Sequence, residues 1–84
     1  MKNRTKYGDK NLIGKRVYEL RTAKGIKQKD FLAQIQTLGV DINPSSLSKL
    51  EGQNRIATDK EMRVITKIFN VSYEYLVGEE DYNM

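Results

Sequence analysis

Apolar residues recur at helical spacing in successive stretches of this chain, each bounded by capping and turn residues. The first stretch predicts a helix from about Leu12 to Lys24, with Ile13, Val17 and Leu20 inward, Asn11 as N-cap and Gly25 at the C-terminal end. The second runs from about Gln28 to Leu38, with Phe31, Leu32 and Ile35 on one stripe, Leu38 closing it and Gly39 as its stop. Asn43 followed by Pro44 starts a third helix, because the Asn side chain can accept from an orphan amide and Pro lacks an N–H where none is needed. Thr58-Asp59-Lys60-Glu61 has the spacing of a capping box, so a fourth helix follows to Phe69 on a core stripe of Met62, Ile65, Ile68 and Phe69, ending at Asn70. Ser72 caps a short fifth helix through Val77, stopped by Gly78. The expectation is an all-α, five-helix domain over residues 11–78, with a mobile basic arm over 1–10 and a short acidic tail over 79–84.

The third helix differs from its neighbours. At 100° per residue, Leu47, Leu50 and Glu51 cluster on one side, while Ser45, Ser48, Lys49 and Gly52 point the other way. Two leucines contribute roughly 2 kcal/mol each, so neighbouring helices must hold this element while its small polar face is left for a partner. Two helices joined by a turn, the second polar on its outer face, are the parts from which a major-groove reader is built.

Charge bears on what that partner is. The net charge of +4 is unevenly spread: residues 1–29 carry ten Lys or Arg against Asp9 and Glu19, and residues 30–84 carry five against nine acids. A basic half suggests an anionic partner, with phosphate backbone the leading candidate, although a solvated surface plus a tail accounts for the charge alone equally well. Gln28 stands at the start of the second helix, where amides and the macrodipole attract anions. The chain has no Cys and no His, which removes disulfides, thiolate or imidazole metal sites and Ser-His or Cys-His catalysis. Adjacent carboxylates such as Glu79 and Glu80 lie in the tail with no nucleophile or base beside them, so no enzyme, metal or cofactor is expected. No apolar run approaches the ~18 residues of a membrane span, and the first ten residues lack the apolar core of a signal peptide; a cytoplasmic protein is expected.

Three segments, LIGKRVYELRTAKGIKQKDFLA, SLSKLEG and ATDKEMRVITKIFNVSYEYLVG, together resemble the Cro and lambda-repressor type of helix-turn-helix regulators, the XRE family, over residues 12–77. TLGVDIN puts more residues between the two central helices than the tightest members have, as in a known subset of that family. The resemblance implies a phosphate contact for Gln28, base-edge contacts for Ser45 and Lys49, and a reading position for Pro44, which could offer a thymine methyl only apolar contact. Asn43, Ser46 and Ser48 flank these positions, and Ser46, at the third helical place, can instead cap its own helix. Gln53, Asn54 and Arg55 match a segment with which the family grips phosphate, Arg55 being the strongest candidate. Glu51 and Arg21 match a structural ion pair. The implied protein is a sequence-specific double-stranded DNA-binding transcriptional regulator of bacterial or phage type, a repressor at a palindromic operator. It would be a homodimer at least on DNA and would have no small-molecule effector domain. The alternative is a protein-interaction module, such as the antitoxin of a toxin–antitoxin pair, which an exposed apolar patch on the last helix would support. Tyr73, Tyr75 and Tyr82 are expected in core packing or a dimer contact.

Overall fold

In a computed structural model that describes residues 8–79, the chain is all-helical: α1 (Gly14–Ala23), α2 (Gln28–Thr37), α3 (Pro44–Glu51), α4 (Asp59–Phe69) and α5 (Tyr73–Leu76). Helix α3 packs on α1 and α2, whereas α4 packs on α2 and α5, so α2 is shared by the two halves of the bundle. The core is a single cluster in which Ile13, Val17, Phe31, Ile35, Leu47, Leu50, Ile65 and Leu76 have essentially no exposed surface. Phe31 and Phe69 stack at its centre, ring centroids 5.2 Å apart and tilted by 36°.

The starts of α1, α3, α4 and α5 each have a local side-chain cause. Asn43 accepts from the Ser46 amide, Ser72 from that of Tyr75, and Thr58 forms the full reciprocal box with Glu61. Asn11 does more than cap. Its Oδ1 accepts from the amides of Ile13 and Gly14, while its Nδ2 donates to the carbonyls of Leu50 and Arg55, riveting the start of α1 to the end of α3. Gly14 makes that approach possible, since a side chain there would run into the Leu50 carbonyl.

All five helices end alike, with the chain turned back through a left-handed residue: Gly25, Gly39, Gln53, Asn70 and Gly78. At Gly25 the reversal is closed by amides of Gly25 and Ile26 donating to the carbonyls of Thr22 and Arg21, and the bonds from Gly39 and Val40 to Gln36 and Ile35 repeat the pattern. Gln53 does the same after α3 at φ 60°, a conformation that costs a residue with a Cβ about 1 kcal/mol. Its side chain supplies a compensating bond, Nε2 donating to the Asn11 carbonyl at 2.7 Å.

The structure amends the sequence reading in several places. Helix α1 begins at Gly14 rather than Leu12, because Asn11 holds residues 12 and 13 in a turn and leaves the Leu12 side chain 72% exposed. Leu38 does not close the α2 stripe; it follows the last helical residue and is exposed. Val64 joins Ile65 and Phe69 in the core, while Met62 and Ile68 are only partly buried. Helix α5 stops at Leu76, Val77 serving as its C-cap. The arm expected over 1–10 falls mostly outside the described residues, but its last part is fixed: the amides of Gly8 and Lys10 donate to the carbonyls of Gly52 and Gln53 at 2.8 and 3.0 Å. Of the tail, Glu79 still bonds back to the Glu74 carbonyl, and residues 80–84, Tyr82 included, lie outside the described part. No helix among the described residues is long and apolar enough to cross a membrane.

Candidate nucleic-acid interface

Helix α3 turns Leu47, Leu50 and Glu51 inward and leaves Pro44, Ser45, Ser48 and Lys49 exposed, with Asn43 exposed at its N-cap. Ser45 and Lys49 are four residues apart, so their side chains lie one above the other on the same face. Ser46 is half-buried; its amide is taken by Asn43 Oδ1 and its carbonyl by Arg55.

The orientation of that face is set from inside the protein. Arg21 donates Nε to Glu51 Oε2 at 2.7 Å and an Nη2 proton to Oε1 at 3.0 Å, a bidentate pair with both side chains almost wholly buried. Arg21 Nη1 donates to the Ile26 carbonyl in the turn between α1 and α2. On the other side of the carboxylate, Gln28 Nε2 donates to Glu51 Oε1 at 3.0 Å, and Gln28 Oε1 accepts from Ser48 Oγ at 3.4 Å. A chain of polar contacts therefore runs from α1 through Glu51 to the outer face of α3, fixing three helices relative to one another.

Gln28 thus commits one N–H and its carbonyl oxygen to contacts within the protein. Helix α2 begins with Lys27 as N-cap and no side chain capping it, whereas α3, α4 and α5 each have a capping side chain. Its first turn carries the positive end of the helix dipole, and exposed Lys27 and Lys29 flank it with no ion pair among the described residues. These two lysines were not singled out from the sequence, where they formed part of a diffuse basic half; they flank Gln28, which the fold brings against Ser48 and Glu51 of α3.

The segment after α3 departs from expectation. Arg55 does not reach outward to grip phosphate. It pairs bidentately with Glu61 at 2.9 and 2.8 Å and also donates to the carbonyls of Ser46 and Ile56, so its guanidinium is committed to holding α4 against the first turn of α3. The signal was present in the sequence, since the capping box put a carboxylate at position 61, but nothing in the linear order showed that Arg55 would fold onto it. Gln53 likewise faces Asn11 and not outward. Asn54 is the exposed member of the three, its amide closing the α3 end on the Lys49 carbonyl.

Burial opposes ionisation of Glu61, but the hydrogen bonds and charge of Arg55 and the Thr58 amide and hydroxyl outweigh it and hold its carboxyl below the usual value of 4.5. A carboxyl whose folded pKa is depressed stabilises the fold above the unfolded value, and that contribution is lost as pH falls through the folded one. Stability is accordingly expected to decline on acidification below about 4.5, and a Glu61→Gln variant to show a shallower decline there in melts recorded against pH. Equal slopes for the two proteins would show that Glu61 does not govern acid sensitivity.

Among the described residues no cluster of carboxylates could hold a metal ion. Comparison with known proteins finds no matching family, no matching characterised protein and no matching solved structure.

Proposed function

We propose that this chain binds double-stranded DNA in a sequence-specific manner as a helix-turn-helix transcriptional regulator, with α3 in the major groove and the start of α2 on the adjoining backbone. One observation carries the reading: the exposed polar face of α3 is coupled, through Gln28 and Glu51, to the start of α2, which has no side-chain cap and carries exposed Lys27 and Lys29. A groove reader needs this combination, a surface that positions on phosphate beside a surface that discriminates base edges. The resemblance of residues 12–77 to Cro and lambda-repressor regulators points the same way, and the α1–α4 segments that carry it fold as helices at those positions.

Within this reading Lys49 donates to guanine O6 and N7, Ser45 contacts a second edge, and Pro44 offers apolar contact only. Ser48 positions Gln28. Selection of bound duplexes from a random pool tests the proposal: a recovered consensus supports it, and an unenriched pool overturns sequence-specific binding. On the consensus, Lys49→Ala is expected to cost about 1–3 kcal/mol and to relax preference at one base pair, with a much smaller loss on unrelated duplex. Equal losses on both would make Lys49 a phosphate contact.

A second reading, a protein-interaction module such as an antitoxin, is favoured by one feature: Tyr73 at the start of the last helix is half exposed beside other exposed apolar side chains. Binding of this protein to a toxin would be detected by co-purification with the product of an adjacent gene.

A further inference from the structure

Lys60, Arg63 and Lys67 recur at intervals of three and four residues along α4, so their exposed side chains lie one above another on a single stripe. Like charges at this spacing repel. The acids of the same helix do not relieve them: Glu61 is turned inward onto Arg55, and Asp59, four residues before Arg63, makes no ion pair among the described residues. The stripe is one wall of a groove of about 290 Å³ whose remaining lining is apolar, Val64 from α4 and Leu38 and Val40 from the turn that leaves α2. No acidic side chain lines it. Leu38, 47% exposed, also borders a second, shallower apolar surface with Ala33 and Ile68, so the groove continues along the seam between α2 and α4. This seam lies at the opposite end of α2 from Gln28, and no residue of the outer face of α3 lines it.

We propose that the seam between α2 and α4 is a docking site for an acidic, amphipathic segment of a partner protein, which sets carboxylates against Lys60, Arg63 and Lys67 and apolar side chains over Leu38, Val40 and Val64. Three arguments choose that occupant. Three cations with no acid among them select an anion, because electrostatic complementarity relieves the repulsion along α4 that the chain itself leaves standing. The extent of the stripe selects a polymer: Lys60 and Lys67 are ~10 Å apart along the helix axis, too far for one small anion to bridge. Carboxylates two turns apart on a facing helix match it. The apolar lining selects protein over nucleic acid, since a phosphodiester backbone brings charge but no aliphatic side chain to cover Leu38, whereas Leu or Ile beside Glu or Asp meets both walls. The proposal does not rest on the DNA-binding reading.

Titration of the isotope-labelled full chain with a synthetic helical peptide bearing Glu and Leu along one face tests the site by heteronuclear NMR. Amide shifts should saturate and should group at residues 38–40 and 60–68. Replacing the peptide's Glu by Gln, or its Leu by Ser, should each weaken binding about tenfold or more. The Arg63→Glu/Lys67→Glu double variant and Leu38→Ser should lose affinity for the original peptide by similar factors. All three positions are exposed, so the melting midpoint should not fall. No saturation by about 1 mM peptide, shifts scattered over the surface, or equal affinity for the Gln peptide overturns the proposal. Octanoate, a single carboxylate on an aliphatic tail, should bind far more weakly than the peptide; equal binding at the same amides would make this a site for a small amphipathic acid and overturn docking. A mixed-sequence duplex should leave residues 38–40 and 60–68 unshifted, and shifts there that the double variant abolishes would make the stripe a phosphate contact instead. Duplex shifts at α3 and the start of α2 bear on the DNA-binding reading alone, so failure of one proposal is told apart from failure of the other.

Discussion

Glu51→Gln and Arg21→Met are each expected to lower the thermal midpoint by roughly 12 °C or more. Breaking a buried ion pair from one side leaves the other charge without its partner, at about 3–5 kcal/mol, and each kcal/mol corresponds to ~4–8 °C in a domain of 60–100 residues. Three donors converge on the Glu51 carboxylate, Nε and Nη2 of Arg21 and Nε2 of Gln28, and both charged side chains are nearly sealed from water. The loss is large against a total stability of about 5–15 kcal/mol. Circular dichroism melts of both single variants and the double variant check it. The double variant should recover part of the summed loss, because neither charge is then left alone in the interior. Unchanged midpoints in the single variants would show that the pair is energetically neutral and that the polar chain from α1 to α3 does not hold the bundle.

Affinity for duplex DNA should fall about a thousandfold between 50 and 200 mM salt if roughly six phosphates are contacted, since log K then declines with log salt with a slope near −5. Lys27→Ala and Lys29→Ala should each make that slope shallower by about 1. Arg55→Ala should leave the slope as it is and lower the melting midpoint instead, because its guanidinium is occupied by Glu61 and by the Ser46 and Ile56 carbonyls. Gel-shift titrations over a salt series separate the cases. A flat slope would remove phosphate contact, and with it the DNA-binding proposal; a slope altered by Arg55→Ala would return that residue to the interface.

Helix order, the caps at Asn43, Thr58 and Ser72 and the inward faces of α2 and α3 could be read from the sequence, because each depends on residues within one turn of one another. The contacts that were not legible in the sequence share a different property. Arg55 and Gln53 find their partners, Glu61 and Asn11, across loops, and side chains with several donors go wherever the fold offers acceptors. Asn11 could be recognised as a cap but not as the rivet to Leu50 and Arg55, which lie about 40 residues on in sequence. The basic half of the chain is visible as a count, whereas the contact of the α2 start with α3, made through Gln28, exists only after folding. Leu12, Ile56 and Tyr73 were three unrelated apolar residues in the sequence; their grouping is a tertiary fact.

The connection between α2 and α3 also separates two properties that usually vary together, how long a loop is and where it delivers the chain. Ile42 is buried in the core and its carbonyl accepts from Gln36 Nε2, so the chain is clamped one residue before the α3 cap. Leu38, Gly39 and Asp41 bulge outward ahead of that clamp. Lengthening a surface excursion raises closure entropy only slowly, and here the added span is absorbed before the anchor and not passed on to it. The chain can therefore drift in length at this bulge over generations while the pose of α3 is inherited unchanged.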